Sequence, residues 1–226
     1  MTQDDDKRIA AEAAVEEVRA GMLVGLGTGS TAAHAIARLG EKVRGGLAIR
    51  AVATSLASEA LARAAGIPLL DFADLSALDL AIDGVDEIDP ELRAIKGAGG
   101  AMLREKIVAT AARRMIVIAD GSKRVARLGA AKVPVEILPF ARGFVTARLG
   151  ALGALVAPRD GGAHRTDQGN PVLDCHFAAL EPVSVASGIA AIPGVLGHGL
   201  FLDEVDVAYI ADHGVVRRVA RGDVSD

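Results

Sequence analysis

Two stretches of this sequence hold most of its chemistry-bearing residues. Asp83-Gly84-Val85-Asp86-Glu87-Ile88-Asp89 sets four carboxylates within seven positions, directly after the apolar run Leu78-Ile82. Carboxylates at the end of a buried strand stand where open parallel sheets bind ligands, and they are suited to acid–base work. Asp83 and Asp86 are therefore the candidates for function, while Glu87 and Asp89 read as a solvated turn. The second stretch starts at Lys96-Gly97-Ala98-Gly99-Gly100, a cation followed by a loop whose backbone N–H groups can approach a ligand oxygen. Beyond it lies Glu105, the only carboxylate between Glu91 and Asp120. On a helix its neighbours three and four positions away are Ala101, Met102, Val108 and Ala109. Such surroundings desolvate a carboxyl, raise its pKa and suit it to abstracting a proton. An exposed Glu105 paired with Arg104 or Lys106 fits the same residues equally well.

Upstream, Gly25-Leu26-Gly27-Thr28-Gly29-Ser30-Thr31-Ala32 lies between an apolar run and a helical stretch. Glycines let the backbone turn sharply, and the free N–H groups of a helix start attract an anion. Residues 27–32 fit the dinucleotide pattern G-x-G-x-x-A, which needs a carboxylate at the end of the next strand. That strand ends Ala53-Thr54-Ser55, and no Gly-Lys-Ser/Thr follows the glycines. A monophosphate or other small anion fits better, with Ser30 and Thr31 adding hydroxyl donors; a plain capped turn is the simpler alternative. Asp120-Gly121-Ser122-Lys123 ends another apolar run, and Lys123 is either a charge beside an anion or a solvated loop lysine. The five histidines are scattered without metal-ligand spacing, and Cys175-His176 point to opposite faces of a strand rather than forming a dyad. A single cysteine excludes an internal disulfide framework and a cysteine-based zinc site.

These residues must be positioned by alternating elements. Helical stretches near 7–19, 32–39, 58–65 and 101–112 alternate with short apolar runs at 22–26, 49–53, 67–70, 78–82 and 115–119. That pattern predicts a mostly parallel sheet with helices on both faces. After Val133 the pattern changes to α+β, with strands near 133–137, 155–157 and 172–177, helices near 140–152 and 183–192, and a turn-rich hairpin connection over 159–171. Two final strands, 205–210 and 214–219, are placed to return to the first sheet. The expected division is a catalytic unit over 1–130 with 202–226 returning to it, and a smaller unit over 131–201.

With 226 residues, 51% hydrophobic and 24% charged, the chain can bury a large core and is not disordered. A net charge of −4 argues against nucleic acid as a partner, and no apolar run is long enough to span a membrane. The start, MTQDDDKRIA, lacks the apolar core of a secretory leader, so a cytoplasmic location is expected.

Taken together, these residues resemble the ribose-5-phosphate isomerase type A family. The matching stretches are GLGTGST at 25–31, TS with SE at 54–59, DGVDEID at 83–89, KGAGGAMLREKIVA at 96–109 and DGSK at 120–123. VPVEILPF at 133–140, GNPVLD at 169–174 and GVLGHGLF at 194–201 continue the match in the family's order. The resemblance implies a Rossmann-like α/β domain with a smaller ferredoxin-like α+β one. It implies interconversion of D-ribose 5-phosphate and D-ribulose 5-phosphate in the non-oxidative pentose phosphate pathway, with no metal and no organic cofactor. It makes Glu105 the proton acceptor and assigns substrate binding to Thr28, Gly29, Ser30 and Thr31, to Asp83, Gly84, Val85 and Asp86, and to Lys96, Gly97, Ala98 and Gly99. Lys123 is implied as a further substrate contact and Lys7 as a phosphate contact. Ala98 stands where glycine is common, and its N–H survives the change. On this reading Lys96 and the loop amides stabilise the oxyanion, while Asp83 and Asp86 assist ring opening. A homodimer or dimer of dimers is also implied. The alternatives are a non-catalytic sugar-phosphate sensor and an isomerase or deaminase of another sugar phosphate.

Overall fold

The computed structural model describes residues 2–223. Helix α1 (Gln3–Val15) leads to strand β1 (Leu23–Leu26), helix α2 (Ser30–Arg44), strand β2 (Arg50–Ala53) and helix α3 (Leu56–Ala64). Strand β3 (Leu80–Gly84) precedes two very short strands, β4 (Glu87–Ile88) and β5 (Ala94–Ile95), then helix α4 (Met102–Ala111) and strand β6 (Met115–Asp120). There follow β7 (Val133–Ile137), α5 (Arg142–Ala151), β8 (Ala154–Pro158), β9 (Val172–Phe177), α6 (Pro182–Ala190) and β10 (Val195–His198). Strands β11 (Leu200–Phe201), β12 (Val207–Asp212) and β13 (Val215–Ala220) complete the chain.

The main sheet runs β13-β12-β6-β3-β1-β2, parallel throughout except where β13 pairs antiparallel with β12. Its central strands read as continuous apolar runs because both faces are covered: β1 and β6 are buried at every position. On one face α1, α2 and α3 pack around Val24, Leu26, Ile36, Leu39, Ile82 and Ile118. On the other, α4 contributes Val108 and Ala109, beside Phe201 and Val117. Helix α1 begins four residues earlier than its apolar pattern implies, because Thr2 and Asp5 cap each other's backbone N–H groups. The run at 67–70 makes only a single parallel bridge, Leu69 to Ala51, at the sheet edge.

Chain order after β1 is decisive for the site. The chain moves outward to β2, then crosses back to lay β3 on the other side of β1. Connections leaving β1 and β3 diverge to opposite sides and open a crevice at the strands' carboxyl ends.

Residues 133–198 form an antiparallel sheet ordered β10-β7-β9-β8, with α5 and α6 as its crossovers. This β-α-β-β-α-β arrangement is the ferredoxin-like one. Its core is built from Val135, Ile137, Val145, Leu149, Leu173, Cys175 and Ile189. A third sheet, β11-β5-β4, was not legible from periodicity, since two-residue strands are too short to show one. It matters because β5 delivers Lys96: the Lys96 N–H donates to the Gly199 carbonyl at 2.9 Å, and the Asp86 N–H donates to the Ile95 carbonyl at 2.8 Å.

Candidate active site

A cleft of about 230 Å³ opens at the β1/β3 crevice, lined by Lys7, Thr28, Gly29, Ser30, Thr31, Gly84, Val85, Asp86, Lys96, Gly97, Ala98, Gly99, Glu105 and Lys123. It is smaller than the roughly 300–1,000 Å³ of sites that hold drug-sized ligands. A cleft of that size suits a small ligand better than a dinucleotide. Every residue singled out from the sequence lines it except Asp83. The expectation that both aspartates face the crevice holds for Asp86 alone.

Asp83 lies beneath the cleft floor, 2% exposed. Its Oδ1 accepts from the Thr28 N–H at 3.0 Å and the Gly84 N–H at 2.7 Å. Gly27 is needed for this approach, because a Cβ there would stand 2.0 Å from Asp83 Oδ1. The other carboxylate oxygen faces Lys96, with Nζ 2.9 Å away. Lys96 Nζ lies 3.4 Å from Glu105 Oε2 and also donates to the Gly84 carbonyl.

Glu105 sits on the buried stripe of α4 with Met102, Val108 and Ala109, the neighbours its helical spacing implies. It is paired with Lys96 and not with Arg104 or Lys106; Lys106 turns instead to Glu204 and the Leu200 carbonyl. The open question from the sequence is thus resolved in favour of the buried carboxyl. Burial first, and the nearby charge of Asp83 second, push the Glu105 pKa up to about 8 against the pull of Lys96. Burial alone would depress the Lys96 ammonium, but Asp83 and Glu105 together hold it above the ordinary lysine value. Two carboxyls share one cation, and Glu105 is the one left with the looser contact.

At the far end of the cleft, α2 starts at Ser30 with no acidic side chain in its first turn and no side-chain cap. Its first N–H groups have no intrahelical partners and present a positive dipole end. Lys7 Nζ reaches Ser30 Oγ at 3.2 Å, and Lys123 stands on the same wall. Helix α1 brings Lys7 there and is tied to the 120–123 turn through Gln3, which donates to Asp120 at 3.1 Å.

Between the two ends, Thr28 Oγ1 bonds Thr54 Oγ1 and Ser55 Oγ at 2.8 Å each. Ser58 Oγ donates to the Gly27 carbonyl at 2.5 Å. These hydroxyls fix the turn after β1 from behind, a role the residue chemistry alone did not assign to Thr54, Ser55 and Ser58. Asp86 accepts from the Ala98 N–H at 2.9 Å and so ties two cleft-lining loops together.

The reading of Glu87 and Asp89 as solvated is corrected: both are buried. Glu87 accepts from the backbone N–H groups of Gly129 and Ala131, and Asp89 caps its own turn and pairs with Arg93 at 2.7 Å. Both hold backbone in place, away from the cleft. Cys175 is buried and His176 exposed, on opposite faces of β9 as expected. Among the described residues no group of three or more His, Cys, Asp or Glu side chains is arranged to hold a metal ion. Nor is any helix there long and apolar enough to cross a membrane.

A desolvated carboxyl at the switch point of a doubly wound sheet, facing a helix start suited to a phosphate, defines an α/β enzyme acting on a small anion. The sequence profile described as Ribose 5-phosphate isomerase A (phosphoriboisomerase A) matches residues 50–214. A relative named ribose-5-phosphate isomerase A from Sphingopyxis alaskensis is 56% identical, the match covering 96% of this chain and 97% of the relative. One of the same name from Nitrobacter hamburgensis is 48% identical, over 98% of this chain and 100% of the relative. Among solved structures, ribose 5 phosphate isomerase A from Neisseria gonorrhoeae matches with a TM-score of 0.92 at 39% identity, covering 97% of this chain and 98% of that one. A D-ribose-5-phosphate isomerase in complex with phospho-erythronic acid matches at 0.94 and 35% identity, covering 98% and 100%. The chain belongs to the ribose 5-phosphate isomerase A family.

Proposed function

We propose that this chain interconverts D-ribose 5-phosphate and D-ribulose 5-phosphate through an enediolate, with Glu105 moving the proton between C2 and C1. The observation that carries the reading is the buried Glu105 carboxyl beside Lys96, at the opposite end of the cleft from the anion-binding start of α2. The two carbons are adjacent, so one carboxylate serves both transfers. In the aldose-to-ketose direction, ionised Glu105 takes the C2 proton, the electron pair moves into the C1–C2 bond, and negative charge develops on the C1 oxygen. Lys96 and N–H groups of the 97–99 loop are placed to stabilise that charge before it forms. The protonated Glu105 then returns its proton to C1, while the C2 hydroxyl proton passes to the C1 oxygen, so that C2 becomes the ketone and C1 a hydroxymethyl group.

Ser30, Thr31 and the first N–H groups of α2, with Lys7 and Lys123, take the phosphate. Ring opening of the furanose needs a separate proton transfer; Asp86, on the cleft wall, is the group with direct access, while Asp83 acts through Lys96 and Thr28. Phospho-erythronic acid, held by a related isomerase, carries a phosphate and a planar carboxylate, the two features an enediolate phosphate also presents. The activity belongs to the non-oxidative pentose phosphate pathway, and since sugar phosphates do not cross membranes unaided we assign it to the cytoplasm.

Residues 131–201 are proposed as a second domain that joins subunits into a homodimer or a dimer of dimers. Phe140 is 96% exposed, Leu155 75% and Val183 63%, all within that segment, and exposed apolar side chains of this size favour association. Light scattering of the purified protein at micromolar concentration reads the assembly.

The test of function is a coupled assay of purified protein on D-ribose 5-phosphate with EDTA present, beside a six-carbon sugar phosphate. Turnover confined to the five-carbon substrate and unaffected by EDTA is expected. Binding without turnover would establish a sensor instead, and preference for the six-carbon substrate would establish a different isomerase.

A further inference from the structure

The loop that faces Glu105 is held from behind by the ferredoxin-like part of the chain. Residues 97–100 form a β-turn, closed by the Gly100 N–H donating to the Gly97 carbonyl at 2.9 Å. Neither central residue, Ala98 or Gly99, has a positive φ, so the turn is of type I. A turn of type II differs by a flip of the central peptide, which exchanges the directions of its C=O and N–H and requires positive φ at the third position. Glycine at 99 makes that flipped form accessible.

One side chain contacts the carbonyls of the form observed. Arg159, at the end of β8, donates from Nη1 to the Gly97 carbonyl at 3.0 Å and to the Ala98 carbonyl at 3.1 Å. Asp174 on β9 holds the other side of the guanidinium, at 3.2 Å from Nε and 2.5 Å from Nη2. Both side chains are about nine-tenths buried, at 11% exposure each. In a planar trans peptide the N–H points away from the C=O. A guanidinium on the Ala98 carbonyl therefore turns the Gly99 N–H the other way. Gly99 lines the cleft, faces Thr28, and its N–H has no protein acceptor among the described residues. The loop is also confined on this side: a Cβ at Gly97 would meet Pro134 at 2.8 Å, and one at Gly100 would meet His164 at 2.5 Å. The same hairpin reaches α3, where Asp167 accepts from the Leu56 N–H at 2.7 Å.

We propose that Arg159, oriented by Asp174, is a positioning residue that locks the Ala98–Gly99 peptide with its N–H towards the cleft, so that the second sheet prepares the oxyanion site of the first. The inference rests on the isomerase reading above. It makes the Arg159–Asp174 pair act on the developing charge rather than on substrate binding, because the donor it orients matters most when the enediolate forms.

The experiment compares wild type, Arg159→Ala and Arg159→Lys for kcat, KM and melting temperature, with and without millimolar guanidinium. Arg159→Ala is expected to lose roughly 10–100-fold in kcat with KM within about twofold. Added guanidinium should restore part of that loss in the Ala variant and nothing in wild type. Arg159→Lys keeps a charge but only part of the fork, and should fall between the two even if the Ala variant folds poorly. A KM rise with kcat preserved overturns the proposal, as does a lowered melting temperature with kcat unchanged or with loss that guanidinium does not restore. Wild-type turnover with unaltered Arg159 variants overturns this inference alone, whereas absence of wild-type turnover overturns the isomerase reading and the inference with it.

Discussion

The two ends of the cleft are built on opposite principles. At the reacting end, Asp83, Lys96 and Glu105 are each less than 5% exposed and held by one another and by backbone. At the end proposed to anchor the phosphate, Ser30 is exposed, Lys7 and Lys123 are partly so, and the first N–H groups of α2 have no side-chain cap. Desolvation is what shifts a carboxyl into the range useful for proton transfer at neutral pH, so the base must be dry. A phosphate is strongly hydrated and carries charge in every state of the reaction, so its site gains from dipoles and lysines that remain in contact with water. Binding there is uniform through the reaction, whereas interactions at the other end strengthen only as charge develops. Substitutions at the two ends should therefore separate into kcat effects and KM effects.

The largest separation is expected for Glu105→Gln, which keeps shape and removes the base. It should lose roughly 10²–10⁴-fold in kcat while calorimetry shows sugar-phosphate binding intact. Lys96→Met comes next, with a loss of about 10²–10³-fold. Because Lys96 pulls the Glu105 pKa down, any remaining activity should show its acid limb shifted to higher pH; a limb that stays in place contradicts the coupling.

If Glu105 is the base, as proposed, it must be ionised in wild type, and burial pushes its pKa up to about 8. The logarithm of kcat/KM should then rise with pH and level off above roughly 8, whereas a plateau extending down to pH 6 would contradict a buried base. At the other end, Lys123→Ala and Lys7→Ala should each raise KM several-fold with kcat unchanged. That effect should shrink as salt is added, because exposed charges are screened.

The smallest expected effect is on stability. Glu105 is protonated in the folded protein up to about pH 8, against 4.5 as its ordinary value. The folded state thus binds the proton more tightly, and wild-type stability falls as pH rises from about 4.5 to 8. The melting-temperature advantage of Glu105→Gln should grow across that window and level off above it.

What the sequence disclosed follows the same division. The turn at the anchoring end is made of contiguous residues, glycines and the first turn of a helix, and its chemistry could be read in place, although Lys7 and Lys123 join it from distant segments. The parallel character of the main sheet followed from alternating runs, and the hairpin over 159–171 from its turn residues, whereas the strand order did not. The reacting end depends on contacts between distant segments. Read from its own neighbours, without the family resemblance, Glu105 had two equal readings until β5 placed Lys96 beside it, and two-residue strands leave no periodic trace. Glu87 looked solvated because its partners, the N–H groups of Gly129 and Ala131, lie 42 and 44 positions away. Arg159 gave no signal at all, since nothing in its own segment reveals that its guanidinium reaches the carbonyls of the 97–98 loop. Local chemistry is legible from sequence; the desolvation that tunes it is a property of the assembled fold.

The central claim, that Glu105 alone carries the proton between C2 and C1, is tested most directly by exchange in heavy water. Wild type and Glu105→Gln are incubated with D-ribose 5-phosphate at saturating concentration, and deuterium at C1 and C2 of the sugars is followed by NMR. The account predicts deuterium incorporation with wild type and none above the uncatalysed rate with Glu105→Gln. Incorporation at the wild-type rate in the variant would contradict it and move the base to another residue of the cleft.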